Sequence, residues 1–113
     1  MNVVVQINQS GDDYYKRIIR NIINLKNQLG DELVQCEVVV FGEGIELLLT
    51  QNETIKEQID GLLDKVIHFI ACSNTLSKKN VKPEELVCEV GSAGSGVAHL
   101  VTRQAEGWSY LAL

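Results

Sequence analysis

The run Val66-Ile67-His68-Phe69-Ile70-Ala71 constrains the fold more than any other part of the chain. It is apolar at every position but His68, and an apolar run of this length reads as a strand buried on both faces, as in parallel sheets. Cys72 follows at once, and after it come Ser73, Asn74 and Thr75, each an eligible N-cap for a helix. Cys72 is therefore expected at the carboxyl end of a parallel strand and the amino end of a helix. Open α/β sheets place their ligands there, and a helix dipole at that point favours thiolate over thiol.

The rest of the chain supplies the alternation that a parallel sheet needs. Residues 3–7 read as the first strand, followed by a turn-rich loop over residues 8–13. Tyr15, Ile18, Ile19, Ile22, Ile23, Leu25 and Leu29 recur at helical spacing, which predicts a helix over 14–29 closed by Gly30. Residues 34–41 form the second expected strand, with Gln35 and Glu37 polar near its start. A tight Gly42-Glu43-Gly44 turn, a short helix over 45–49 and a helix over 55–63 come next, the last with Thr54 and Glu57 as a capping box. After the third strand, over 66–71, a short helix runs to Lys79 and Asn80 ends it in the left-handed conformation. Residues 83–86 form one turn led by Pro83, residues 87–90 the fourth strand, and residues 91–96 a glycine-serine loop. A helix over 97–106 stops at Gly107, and residues 108–113 are the last strand. The order β-α-β-αα-β-α-β-α-β predicts a single α/β domain over residues 1–113: a three-layer α/β/α sandwich with a five-stranded, mainly parallel sheet.

Composition narrows the function. With 113 residues, 45% hydrophobic and 22% charged, the chain has the make-up of one globular core. Ten basic residues against fifteen acidic ones give a net charge of −5, and no Lys/Arg cluster exceeds two, so nucleic acid is not the expected partner. No apolar run approaches the roughly 20 residues that span a bilayer, and the opening segment lacks the basic leader of a signal peptide. The expected location is cytoplasmic, with no membrane association. There the three cysteines do not read as a disulfide framework, and without a C-x-x-C pair they do not read as a zinc site. Neither a metal nor an organic cofactor is expected.

Cys36 and Cys88 fall inside expected strands, where cysteine acts as a small buried hydrophobe, so Cys72 is the candidate nucleophile. His68 lies four residues before it, about 13 Å along an extended strand, and suits a structural or subunit-contact role better than that of a base. His99, on the last helix, is expected to face solvent and is given no role. Around Cys72 the strand ends offer Asn8, then Gly42, Glu43 and Gly44, then Ser73 and Asn74, and finally Gly94, Ser95 and Gly96 as candidate ligand-binding residues. The glycine loop is G-x-x-G-x-G, neither the dinucleotide fingerprint nor a P-loop. A turn that lets another backbone approach is at least as good a reading as an anion cradle.

Five segments together resemble the DsrE/DsrF-like family, the small α/β proteins of intracellular sulfur oxidation and sulfur relay. They are the opening Val3-Val4-Val5-Gln6-Ile7-Asn8; Val39-Val40-Phe41-Gly42-Glu43-Gly44-Ile45-Glu46-Leu47-Leu48; Phe69-Ile70-Ala71-Cys72-Ser73-Asn74-Thr75-Leu76; Gly94-Ser95-Gly96-Val97-Ala98-His99-Leu100-Val101; and Arg103-Gln104-Ala105-Glu106-Gly107-Trp108-Ser109-Tyr110. The resemblance implies a five-stranded parallel domain that assembles into trimers or hexamers. It also implies that Cys72 matches the position where relay members carry sulfur as a persulfide. The expected function is a cytosolic sulfur-relay protein of the sulfurtransferase or sulfur-carrier class, with protein sulfur donors and acceptors. The alternative is a non-catalytic, oligomeric module of the same fold that binds a small anion or other ligand. The residues also argue for a homo-oligomer, a trimer first, with the Cys72 pocket at or near a subunit boundary. The short outer strands leave edges to protect, the segment 108–113 is apolar, and His68 and Glu43 are easier to explain with partners from a neighbouring chain.

Overall fold

The computed structural model describes residues 1–113. Five strands, β1 (Asn2–Ile7), β2 (Gln35–Val40), β3 (Ile67–Cys72), β4 (Gly91–Ala93) and β5 (Ser109–Ala112), form one sheet in the order β4-β3-β2-β1-β5. Every pairing is parallel. The helices are α1 (Asp12–Leu29), α2 (Glu53–Leu62), α3 (Ser73–Lys78) and α4 (Gly96–Ala105), with a 3-10 helix over Gly42–Leu49 between β2 and α2. The architecture is the expected α/β sandwich.

The period of two along each strand sorts its residues onto two unlike faces. Val3, Val5 and Ile7, Cys36, Val38 and Val40, and Ile67, Phe69 and Ala71 point to one side. There they meet Tyr15, Ile18, Ile19 and Ile22 of α1, Ile45, Leu47 and Leu48 of the 3-10 helix, and Ile55, Ile59 and Leu62 of α2. The other side holds a small cluster of Val4, Val39, Ile70 and Leu100 of α4, bordered by Phe41, Ala93 and Trp108. The second face is covered by one helix where the first is covered by several elements.

Local chemistry sets the element ends. Gly30 closes α1 at φ 54°, and Asn80 follows α3 at φ 56°, both in the left-handed region expected from the sequence. Gly107, at φ 93°, ends α4 and turns the chain into β5.

Four expectations change. The fourth strand is Gly91–Ala93, not residues 87–90, so half of the expected glycine-serine loop is strand and Cys88 lies outside any strand. Val87 instead donates its N–H to Leu48 O at 2.8 Å, which ties that segment to the 3-10 helix. The cap of α2 is Asn52, whose side chain accepts from Ile55 N at 3.2 Å, rather than Thr54. The cap position of α3 belongs to Cys72, with no side-chain cap, so Ser73, Asn74 and Thr75 lie within the first turn. Finally, β3 is not covered on both faces along its length: His68 is exposed and its Nε2 lies 3.0 Å from Lys65 O.

Candidate functional site

The chain leaves β3 for α3, whose Leu76 packs on the thickly covered face, and leaves β4 for α4, whose Leu100 packs on the other. Connections that diverge from neighbouring strands open a crevice outside their carboxyl ends, where α/β sheets bind ligands. Cys72 is the last residue of β3 and sits in that crevice. It shares the parity of His68 and Ile70, so its sulfur faces the α4 side. The Gly96 N–H, at the start of α4, donates to Cys72 Sγ at 3.3 Å, and Gly94 O lies 3.9 Å from the sulfur. Gly94 O also accepts from Asn74 N at 3.2 Å, which joins the loop after β4 to the first turn of α3.

Glycine at position 96 lets the start of α4 come this close without displacing its neighbour. A Cβ there would stand 3.1–3.3 Å from the side chain of Phe41, which backs the start of α4. Thr75 completes the surroundings of the thiol. Its Oγ1 accepts from Gly42 N at 3.1 Å, and its hydroxyl and amide both favour the thiolate of Cys72. Burial pushes the Cys72 pKa up, but the Thr75 hydroxyl and the amides of Thr75, Gly96 and Asn74 outweigh it and hold the thiol below its ordinary value. The other two cysteines go the opposite way. Burial lifts both Cys36 and Cys88 to about 11, with nearby carboxylates adding to the rise. Cys72 is thus the most readily ionised thiol of the chain, although little of it is exposed (6%).

The other candidates divide into two groups. Gly42, Asn74, Gly94 and Gly96 are brought to Cys72 directly or through Thr75. Ser95 supports them as the cap of α4, its Oγ accepting from Ala98 N at 3.1 Å. Ser73 is half-buried in the first turn of α3, without a side-chain hydrogen bond. Gly44 packs elsewhere: its Cβ would fall 2.2 Å from Ile7 O and 3.2 Å from the Cα of exposed Asn8, so this pair marks a backbone contact beside β1. Glu43 makes an ion pair with Lys79 at 3.4 Å, and Glu46 meets the same lysine at 3.7 Å. Glu43 therefore has a partner within its own chain. No cluster of His, Cys, Asp or Glu is arranged to hold a metal ion, and no helix is long and apolar enough to cross a membrane.

Sequence reasoning missed Thr75 as a neighbour of the thiol and Phe41 as the wall behind Gly96, and it missed a charged network on the same face of the sheet. His99 does not face solvent. Its Nε2 lies 2.8 Å from Glu37 Oε1, and Arg103 grips the same carboxylate through Nε at 2.7 Å and Nη2 at 3.0 Å. Arg103 also pairs with Glu106 at 2.9 Å and stacks over Trp108, 4.5 Å from the ring centroid. Glu37 is 7% exposed. Burial alone would raise its pKa, but hydrogen bonds from Arg103 and His99 bring it below the ordinary carboxylate value. The signal was available: one carboxylate in an apolar strand, with His99 and Arg103 four apart on a helix.

Known proteins share this fold. The family model of the DsrE/DsrF-like family matches residues 1–113. The chain is similar to the solved structure of MTH1491, a protein of unknown function from Methanobacterium thermoautotrophicum, with 32% identity and a TM-score of 0.87 over 99% of this chain and 98% of that one. It shares its fold with BT1422, a conserved protein of unknown function from Bacteroides thetaiotaomicron, at 14% identity and a TM-score of 0.74 over 99% and 94% of the two chains. No curated protein matches it. Since the family model spans every strand and helix described above, the chain belongs to the DsrE/DsrF-like family.

Proposed function

We propose that this protein is a cytoplasmic sulfur carrier that holds sulfane sulfur as a persulfide on Cys72. Sulfur relay is the activity that the DsrE/DsrF-like family suggests. The observation that carries the reading for this chain is the Gly96 N–H on Cys72 Sγ at 3.3 Å, at the divergence of β3 and β4, on a thiol held below its ordinary pKa. The Cys72 thiolate attacks the outer sulfur of a donor persulfide, R–S–SH. The S–S bond breaks, the donor leaves as R–S⁻, and Cys72 becomes Cys72–S–SH. An acceptor thiolate reverses the step, so sulfur moves without net oxidation. The amides at the site favour the anion at each stage.

The alternative, a module that binds a small anion at the glycine loop, has less support. The Gly96 amide is taken by Cys72 and the Ala98 amide by Ser95, leaving few free donors to cradle an anion. The test is intact-mass spectrometry after incubation with a persulfide donor. Wild type is expected to gain the mass of one sulfur atom and Cys72→Ser to gain none; equal gain by both sinks the reading.

We further propose that the carrier works as a homo-oligomer, a trimer or a hexamer of the same unit, that exchanges sulfur with protein donors and acceptors. The exposed, uncharged edge strand Ser109–Ala112 and the exposed Val97 and Val101 on α4 support an assembly. Light scattering is expected to give a multiple of 12.5 kDa, and a mass near 12.5 kDa removes the claim.

A further inference from the structure

We propose that the cavity next to the Cys72 site seats a low-molecular-weight thiol bearing carboxylates, which exchanges sulfane sulfur with Cys72; this rests on the carrier reading above. The cavity is about 500 Å³ and is lined by Phe41, Gly42, Glu43, Thr75, Lys78 and Lys79. Small-molecule sites run from about 300 to 1,000 Å³. Cavities of similar volume near Leu33 and near Cys88, and a smaller one of about 310 Å³ beside α2, are lined by none of the groups around the thiol. This one shares Thr75 and Gly42 with the thiol's own hydrogen-bond chain.

Charge gives the class of ligand. The chain carries a net −5, yet this lining holds two lysines against one carboxylate. Lys79 is engaged by Glu43 and Glu46. Lys78 has no carboxylate within ion-pair range and is exposed at the end of α3, free to meet an anionic group. The Phe41 side chain supplies an apolar wall for the carbon skeleton of a thiol. The small exposure of Cys72 suits a slender ligand sulfur.

The chemistry balances without a further reagent. The ligand thiolate, R–S⁻, attacks the outer sulfur of Cys72–S–SH. A new S–S bond forms as R–S–SH, the bond to Cys72 Sγ breaks, and Cys72 leaves as the thiolate. The sulfane sulfur keeps its oxidation state. A lysine at the rim offsets the repulsion between an anionic ligand and the site's negative sulfur.

The test has two arms, with reduced glutathione as the reacting probe and S-methylglutathione as its unreactive counterpart. Titration of S-methylglutathione into unloaded protein, followed by amide chemical shifts, is expected to give saturable changes at Gly42, Thr75 and Lys78. Lys78→Glu is expected to weaken that binding about fivefold, and Lys78→Gln less. In the second arm, persulfide-loaded protein is mixed with glutathione or with uncharged 2-mercaptoethanol. Lys78→Glu is expected to slow sulfur loss to glutathione several-fold more than sulfur loss to 2-mercaptoethanol, which carries no carboxylate for Lys78 to meet. No saturable shift at millimolar probe, or equal slowing for both thiols, overturns the proposal. If loading fails while S-methylglutathione still binds, the carrier reading falls and the ligand class stands. If loading succeeds without binding, this proposal falls alone and points to a protein acceptor.

Discussion

The two faces of the sheet are built to different standards. The face beneath α1, α2 and the 3-10 helix packs a continuous cluster of 20 buried residues. The face beneath α4 packs a cluster of 4, and beside it lie a buried carboxylate, an exposed histidine and the sulfur of Cys72. Fold stability is concentrated on the first face. The second gives up apolar contact for polar groups held in place by hydrogen bonds, with Glu37 and His68 toward the amino ends of β2 and β3 and Cys72 alone at a carboxyl end. On this face the amino end of α4 stands against Cys72, with the Gly96 N–H on its sulfur.

The sharpest way to break this comparison is to cut an equal number of carbons from each face. Ile18→Ala removes a side chain with 0% exposure from the thick face, and is expected to cost about 4 kcal/mol, since such sites relax only partly. Leu100→Ala on the thin face, where the side chain is 5% exposed beneath a single helix, is expected to cost about 2 kcal/mol. Urea midpoints with unchanged slopes measure both. Equal costs would mean that the faces do not differ in how they hold the fold.

Between those values lies the charged network. Glu37→Ala strands Arg103 and His99 against the sheet and is expected to cost about 3 kcal/mol, at the low end for breaking a buried pair because Arg103 keeps contact with water. The pH dependence has a definite sign. The folded pKa of Glu37 lies below the ordinary carboxylate value of 4.5, so the folded state binds fewer protons there than the unfolded one. The contribution is present in full above that ordinary value and is lost as pH falls through the folded pKa. The urea midpoint of wild type is therefore expected to fall in acid more steeply than that of Glu37→Gln. Parallel acid profiles would remove Glu37 as a source of the thin face's stability.

The thick face was legible in the sequence because burial writes a period: the α1 stripe and the apolar strands locate it without reference to any other element. The thin face was harder to read for three physical reasons. Residues 87–90 have β-branched character, but tertiary pairing overrides propensity. The strand that pairs with β3 is Gly91–Ala93, where a Cβ at Gly91 would meet Ile70 Cδ1 at 2.7 Å, so small residues fit this edge. His68 interrupts a run that looks buried on both faces, and nothing local says that α4 leaves it uncovered. The partners of Glu37 come from 62 and 66 residues away, so the network is a long-range object. At the site itself, the place of Cys72 at a strand end was readable. Gly96 was readable as a strand-end neighbour of Cys72 but not as the donor to its sulfur, because that amide comes from an element 24 residues later.

The smallest effect on stability carries the finest distinction, and two neighbouring glycines draw it. Gly94→Ala places a methyl where nothing lies within 4 Å, whereas Gly96→Ala places one 3.1–3.3 Å from the Phe41 side chain. In Gly96→Ala the crowding opposes a gain in helix propensity of about 1 kcal/mol at the start of α4, so the urea midpoint is expected to move little. The thiol should respond where the fold does not. Relief of the clash with Phe41 moves the start of α4 away and lengthens the 3.3 Å bond from Gly96 N–H to Cys72 Sγ, and that bond favours the thiolate. Alkylation of Cys72 by iodoacetamide at neutral pH is expected to slow roughly fivefold in Gly96→Ala, given the strength of hydrogen bonds to charged groups. Gly94→Ala is expected to react like wild type, since its methyl enters open space and the main chain around the sulfur keeps its place. Cys36 and Cys88, with pKa values near 11, serve as internal standards that stay slow in every variant. If the two alanine variants alkylate at the same rate, the Gly96 amide does not set the acidity of Cys72. The acidity of Cys72 would then rest on the first turn of α3, through Thr75 and the Asn74 amide.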